Sequence, residues 1–145
     1  MTDHVEQRIS LITLGVADVS ASRKFYERLG WTASSASNDQ IAFFQAGCIG
    51  IALYGREALA QDAKFTPGTT AFKDMAIAYN VHRREEVDEA LAEVRRAGAT
   101  ILKPPQDTSS GGYSAYFSDP DGHVWEVAFN PAFPLQADGA FRLPD

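Results

Sequence analysis

One acid stands inside an apolar run: Glu126, in VWEVAF (124–129). A carboxylate among Val, Trp and Phe can accept hydrogen bonds, attract a cation, or act as an acid or base where water is scarce. Glu126 is therefore the candidate catalytic residue. Tyr113 and Tyr116 can hydrogen-bond a ligand, and Trp31 can stack on one. The loop DTSSGGY (107–113) is a further candidate, because Gly111-Gly112 frees its backbone. The histidines are His4 near the start, His82 ahead of a helical segment and His123 after a turn. No two of them recur at the i, i+4 spacing that builds a helical metal site, so each is read as exposed. Cys48 opens an apolar stretch with no base beside it and reads as a buried thiol. A single cysteine also excludes an internal disulfide and an all-cysteine metal site.

These residues need elements to position them. SLITLGV (10–16) is long enough for one buried strand. Asp18 and Ser20 then offer cap chemistry before a segment in which Ala21, Phe25 and Leu29 share one helical face, with Gly30 closing it. Residues 31–35 predict a short strand, 35–39 a turn, and IAFFQA (41–46) and CIGIALY (48–54) two strands about Gly47. Residues 56–63 predict a short helix, and the Pro- and Gly-bearing stretch 64–73 a connector. DMAIAYNV (74–81) is a strand. The clearest helix spans 84–98, with Val87, Ala90, Leu91 and Val94 at i, i+3, i+4 and i+7. Strands follow at 99–104, 114–118 and 124–129, the last two joined by DPDG (119–122), which has type I turn chemistry.

The order strand, helix, three strands thus occurs twice. Setting Val16 against Val81 aligns Leu11 with Ala76, and matching the closing strands sets Ile51 against Glu126. A spacing of about 65–75 residues is too long for a solenoid unit. Two such modules suit an α+β fold in which paired βαβββ units form a cup-shaped mixed sheet with helices outside. On that alignment, alternation places Val124 and Ala128, Leu11, Thr13 and Gly15, Ala76, Ala78 and Asn80, and Ile49, Ile51 and Leu53 on the face of Glu126. Thr13 and Asn80 join Glu126 there as polar candidates for ligand contact. Ile12, Leu14, Val16, Ile77, Tyr79, Trp125, Val127 and Phe129 fall on the opposite face, towards the helices.

LITLGVADVSASRKFYERLGW (11–31) resembles the opening strand and helix of the vicinal oxygen chelate superfamily, which includes glyoxalase I, bleomycin-resistance and extradiol-dioxygenase proteins. YFSDPDGHVWEV (116–127) resembles its closing hairpin. The resemblance implies ligand binding in the cup. It also implies, in metal-dependent members, one His or Glu ligand on the first and last strands of each module. Carried onto this chain, those positions are Leu11, Ile51, Ala76 and Glu126. Only Glu126 has a lone pair to offer, and the neighbouring positions add no imidazole or carboxylate, so no metal and no cofactor are expected.

The expectation is a single domain over residues 1–145, with a module at about 9–63, a linker at 64–73, a second module at about 74–130 and a tail at 131–145. In the tail, Phe133, Leu135, Phe141 and Leu143 flank a turn signal at Asp138-Gly139, and they are expected to clamp onto the domain or onto a second subunit. Thirteen Lys and Arg against nineteen Asp and Glu leave a net charge of −6. That balance disfavours nucleic acid and anionic membranes as partners. The opening residues lack the apolar core of a signal peptide, and no apolar run would span a bilayer, so a cytoplasmic location is expected. The resulting reading is a metal-independent small-molecule-binding protein, homodimeric as family members often are. The alternative is a lyase, isomerase or dioxygenase-like enzyme using Glu126 as acid, base or metal ligand.

Overall fold

The computed structural model describes residues 11–62, 75–109 and 111–141, together with Gln7 and Ile9. The predicted linker, His4 and Leu143 lie outside the described residues. The fold is α+β, with a three-stranded and a four-stranded sheet and three helices. Two compact units divide it. One holds residues up to Arg23 and those from Trp31 to the end of the first described segment; the other holds Lys24–Gly30 and the residues from Met75 onward. No helix among the described residues is long and apolar enough to cross a membrane.

In the first unit β1 (Leu11–Val16) pairs in parallel with β3 (Ile49–Gly55), and β2 (Ile41–Ala46) pairs antiparallel with β3, giving the order β1-β3-β2. The strand expected at 31–35 contracts to a single bridge between Ala33 and Phe44. Local side-chain bonds compete with the ladder there. Ser37 Oγ accepts the Phe43 N–H at 2.9 Å, beside the bridge, while Asn38 Oδ1 accepts the N–H groups of Gln40 and Ile41 at 2.8 and 3.2 Å in the following turn. Cys48 lies in the turn between β2 and β3 and is exposed, not buried as expected. The short helix α2 (Arg56–Asp62) packs on β1 and β3. Gly15 allows this approach, since a Cβ there would meet Leu59 Cδ2 at 3.3 Å.

The register corrects the expected faces. Thr13 is opposite Ala52, and Ile12 opposite Ile51. Ile51 and Leu53 therefore share a face with Ile12, Leu14, Ala42 and Phe44, the buried side of this sheet, and not with Leu11 and Thr13. Side chains alternate with a period of two, so a register one residue off the sequence alignment moves the whole strand's set to the other face. Beside Thr13 the structure places Gly50, Ala52 and Phe43.

In the second unit β4 (Ile77–Asn80) pairs in parallel with β7 (Val124–Phe129). Then β6 (Tyr113–Ser118) and β5 (Thr100–Asp107) follow antiparallel, in the order β4-β7-β6-β5. Both sheets thus pair their first strand in parallel with their last, as two copies of one βαβββ unit would. Helix α3 (Glu85–Ala97) packs on β5, β6 and β7 through Val87, Leu91, Val94 and Ala97. Its first turn is acidic and its last turn carries Arg95 and Arg96, matching the helix dipole. Gly98 closes it in the left-handed conformation at φ 112°. Against that helix-covered face lie Ala115, Phe117, Trp125 and Val127, all buried. Tyr79 pairs with Val127 but is 54% exposed, because β4 is an outer strand.

Helix α1 (Val19–Arg28) starts at Asp18, whose Oδ1 accepts the Ala21 N–H at 3.1 Å. Its buried residues are Ser22, Phe25 and Tyr26, while Ala21 is exposed. The buried stripe is thus rotated by about one residue from the expected Ala21, Phe25 and Leu29. Arg28 Nε donates to the Ala97 carbonyl at 2.9 Å, satisfying one of the open acceptors at the end of α3.

Candidate functional site

On the second sheet the face away from α3 carries a row of side chains at matched register: Ala78 on β4, Glu126 on β7, Tyr116 on β6 and Lys103 on β5. Asn80, Ala128 and Ser114 form the next row. Glu126 and Tyr116 are register partners on neighbouring strands, so their side chains stand side by side on this face. Partial burial, and then the neighbouring Glu126 carboxylate, raise the Tyr116 pKa above the usual phenol value. The phenol therefore stays protonated near neutral pH. The Lys103 ammonium lies 5.9 Å from the centroid of the Tyr116 ring. Small residues and partial exposure leave this face reachable: Ala78 is exposed, and Asn80, Tyr116, Glu126 and Ala128 are half-buried.

The structure thus brings Glu126, Tyr116 and Asn80 together. Tyr113 points the other way. Three positions before Tyr116 on the same strand, it shares the helix side with Ala115 and Phe117. Its hydroxyl donates to Asp88 Oδ1 at 2.8 Å, and that bond, ahead of desolvation, raises its pKa. The Arg84 guanidinium stacks 3.9 Å above its ring and bridges to Asp107 at 2.6 Å. Tyr113 therefore ties the start of α3 to the end of β5. Trp31, in the first unit, packs edge-on against Phe44 at 5.7 Å. Thr13, also in the first unit, stands beside Ala52 on its own sheet.

The 107–113 loop is closed on itself. Thr108 N–H donates to the Gly112 carbonyl at 3.0 Å, and Thr108 Oγ1 accepts the Gly112 N–H at 3.0 Å. Gly112 is required: a Cβ there would sit 2.6 Å from the Phe129 carbonyl oxygen.

A second polar group, not expected from sequence, lies at the DPDG turn. The turn closes as expected, with the Gly122 N–H on the Asp119 carbonyl at 3.0 Å. The Asp119 side chain is buried at 2% exposure, with Oδ1 accepting the N–H groups of Asp121 and His123 at 3.0 and 2.9 Å. Its Oδ2 accepts the Tyr26 hydroxyl at 2.8 Å and lies 2.7 Å from His123 Nδ1. Trp125 Nε1–H in turn donates to the Tyr26 oxygen at 3.3 Å. Burial alone would raise the Asp119 pKa. The hydrogen bond and charge of His123, with the other donors, outweigh it and hold the carboxyl below its ordinary value. His123 is thus a partner of a buried acid and not the exposed residue expected, whereas His82 is exposed, with Nε2 3.1 Å from the Gln136 carbonyl oxygen.

The donor set does not fit a catalytic divalent ion. The register partners of Glu126 are Ala78 on β4 and Tyr116 on β6, and among the described residues no three His, Cys, Asp or Glu side chains gather.

Residues 8–127 match the family model of the Glyoxalase/Bleomycin resistance protein/Dioxygenase superfamily, and the chain belongs to that superfamily. Among solved structures it is similar to a glyoxalase-related enzyme from Fulvimarina pelagi, at 35% identity and TM-score 0.87, over 97% of this chain and 100% of that one. It is also similar to a glyoxalase/bleomycin resistance protein/dioxygenase family enzyme from Burkholderia phytofirmans PsJN, at 27% identity and TM-score 0.73, over 83% and 96% of the two chains. A curated relative, virulence protein STM3117 of Salmonella typhimurium, is 28% identical over 126 residues, 83% of each chain.

Proposed function

We propose that the protein is a metal-independent binder of a small organic molecule, held on the sheet face that carries Glu126. The donor set supports this reading most directly. The register partners of Glu126 on its own sheet are Ala78 and Tyr116, and a lone carboxylate cannot hold a divalent ion against water. The same face is partly exposed, floored by small residues, and equipped with a phenol–carboxylate pair to orient a ligand. Elemental analysis of protein purified without chelators tests it. Zn, Ni, Mn and Fe are expected far below stoichiometric, with no glyoxalase activity when these ions are added. Stoichiometric metal that disappears in Glu126→Gln would overturn the proposal.

The placement of the Tyr116 phenol beside Glu126 at matched register favours a second reading, an isomerase or lyase in which Glu126 removes and returns a proton. Similarity to a protein described as a glyoxalase-related enzyme supports it too. Deuterium uptake from solvent into a bound molecule, abolished by Glu126→Gln, would decide for the enzyme.

A further inference from the structure

Strand β5 does not alternate regularly, and its two irregularities bear on what the Glu126 face recognises. Ile101 pairs with Phe117, Lys103 with Tyr116, and Gln106 with Ser114, with register shifts in both intervals. Phe117 lies on the helix side of β6 and Tyr116 on the Glu126 side. A regular strand would keep Ile101 and Lys103, two residues apart, on the same face. The first shift inserts one residue and turns Lys103 across to the Glu126 face; the second keeps Gln106 there as well. Bulges of this kind re-aim side chains and are common beside binding sites. Pro104 and Pro105 are tolerated because β5 is an outer strand.

The outcome is an ammonium and a carboxylate on one face, with the Tyr116 ring on the strand between them. Two strand spacings put their backbones about 9–10 Å apart. Among the described residues no ion pair joins Lys103 to Glu126. Each charge is therefore available to an opposite charge on a ligand lying across the ring.

We propose that this face selects a zwitterionic small molecule, its anionic group on Lys103, its ammonium on Glu126 and a flat apolar middle against Tyr116. The inference rests on the reading that the Glu126 face binds a small organic molecule. It adds the ligand's charge pattern and assigns Lys103 as a specificity-determining residue.

Four probes of one shape test it: para-aminomethylbenzoate, benzoate, benzylamine and benzyl alcohol, titrated into the full chain and followed by NMR at Ser114, Tyr116 and Ala128. The zwitterion is expected to bind about tenfold more tightly than either singly charged probe and about a hundredfold more tightly than benzyl alcohol, the scale of one and of two hydrogen bonds to charged groups. Lys103→Gln should weaken benzoate and the zwitterion about tenfold and leave benzylamine unchanged, with Lys103→Arg restoring binding. Glu126→Gln should weaken benzylamine and the zwitterion and leave benzoate unchanged. If benzyl alcohol shifts these resonances and the charged groups add nothing, the zwitterion proposal falls and the binding reading stands. If none of the four shifts them, both fall.

Discussion

Removing one oxygen from Tyr26 should loosen the whole DPDG turn. Tyr26 and Asp119 are 1% and 2% exposed, so neither can exchange its lost partner for water at no cost. In Tyr26→Phe the ring and its edge-on contact with Phe25 at 4.9 Å stay, while the 2.8 Å bond to Asp119 and the acceptor for Trp125 Nε1 go. A hydrogen bond to a charged group contributes about 1.5–3 kcal/mol. For a chain of this size each kcal/mol is worth roughly 2–4 °C, so Tm should fall by roughly 3–12 °C. The variant should also be more acid-labile. The Asp119 carboxyl is held below its ordinary value, so its contribution is present above the unfolded pKa of about 3.9 and is lost as pH falls through the lower folded value. Without the Tyr26 donor the folded value moves up, and acid unfolding should begin at higher pH. Urea titrations from pH 7 to pH 3, read by the fluorescence of the two tryptophans, Trp31 and Trp125, measure both effects. A loss under about 0.5 kcal/mol together with an unchanged acid midpoint would refute the role given to this network.

Gly112→Ala should cost about 1–3 kcal/mol, because its Cβ would collide with the backbone oxygen of Phe129 while the Thr108 turn holds the loop in place; thermal melts of the variant check this. The protein should run as a homodimer in light scattering coupled to size exclusion. The outer strands β1 and β4 expose Leu11 and Tyr79 at 44% and 54%, and a monomer at all concentrations would contradict the expectation.

Much of the fold was legible because its signals are local. Val87, Leu91 and Val94 recur at the helical period and are buried where that period puts them. The DPDG turn forms through the Asp and Gly that its geometry demands. The duplicated element order survives in the pairing of each sheet's first and last strands. Trp125, Glu126 and Val127 alternate as read, because β7 is a regular strand with pairing on both sides. Residues 31–35 did not extend beyond one bridge: the Ser34 N–H reaches the Phe43 carbonyl, but the Phe43 N–H that a longer ladder would use donates to Ser37 Oγ instead.

What the chain alone determined was therefore most of the elements and the direction of Glu126. Tertiary structure decided the rest. The parallel register of β1 on β3 is set by packing, and it put Ile51 in the core and Ala52 beside Thr13. The shifts in β5 brought Lys103 to the Glu126 face against the strand's own alternation. Tyr26 and Asp119 are 93 positions apart in the chain, and only the folding of α1's last turns against the second sheet makes them partners. Periodicity and turn chemistry act over a few residues. Register, bulges and buried polar pairing depend on which distant strands and helices meet, and no local pattern encodes that.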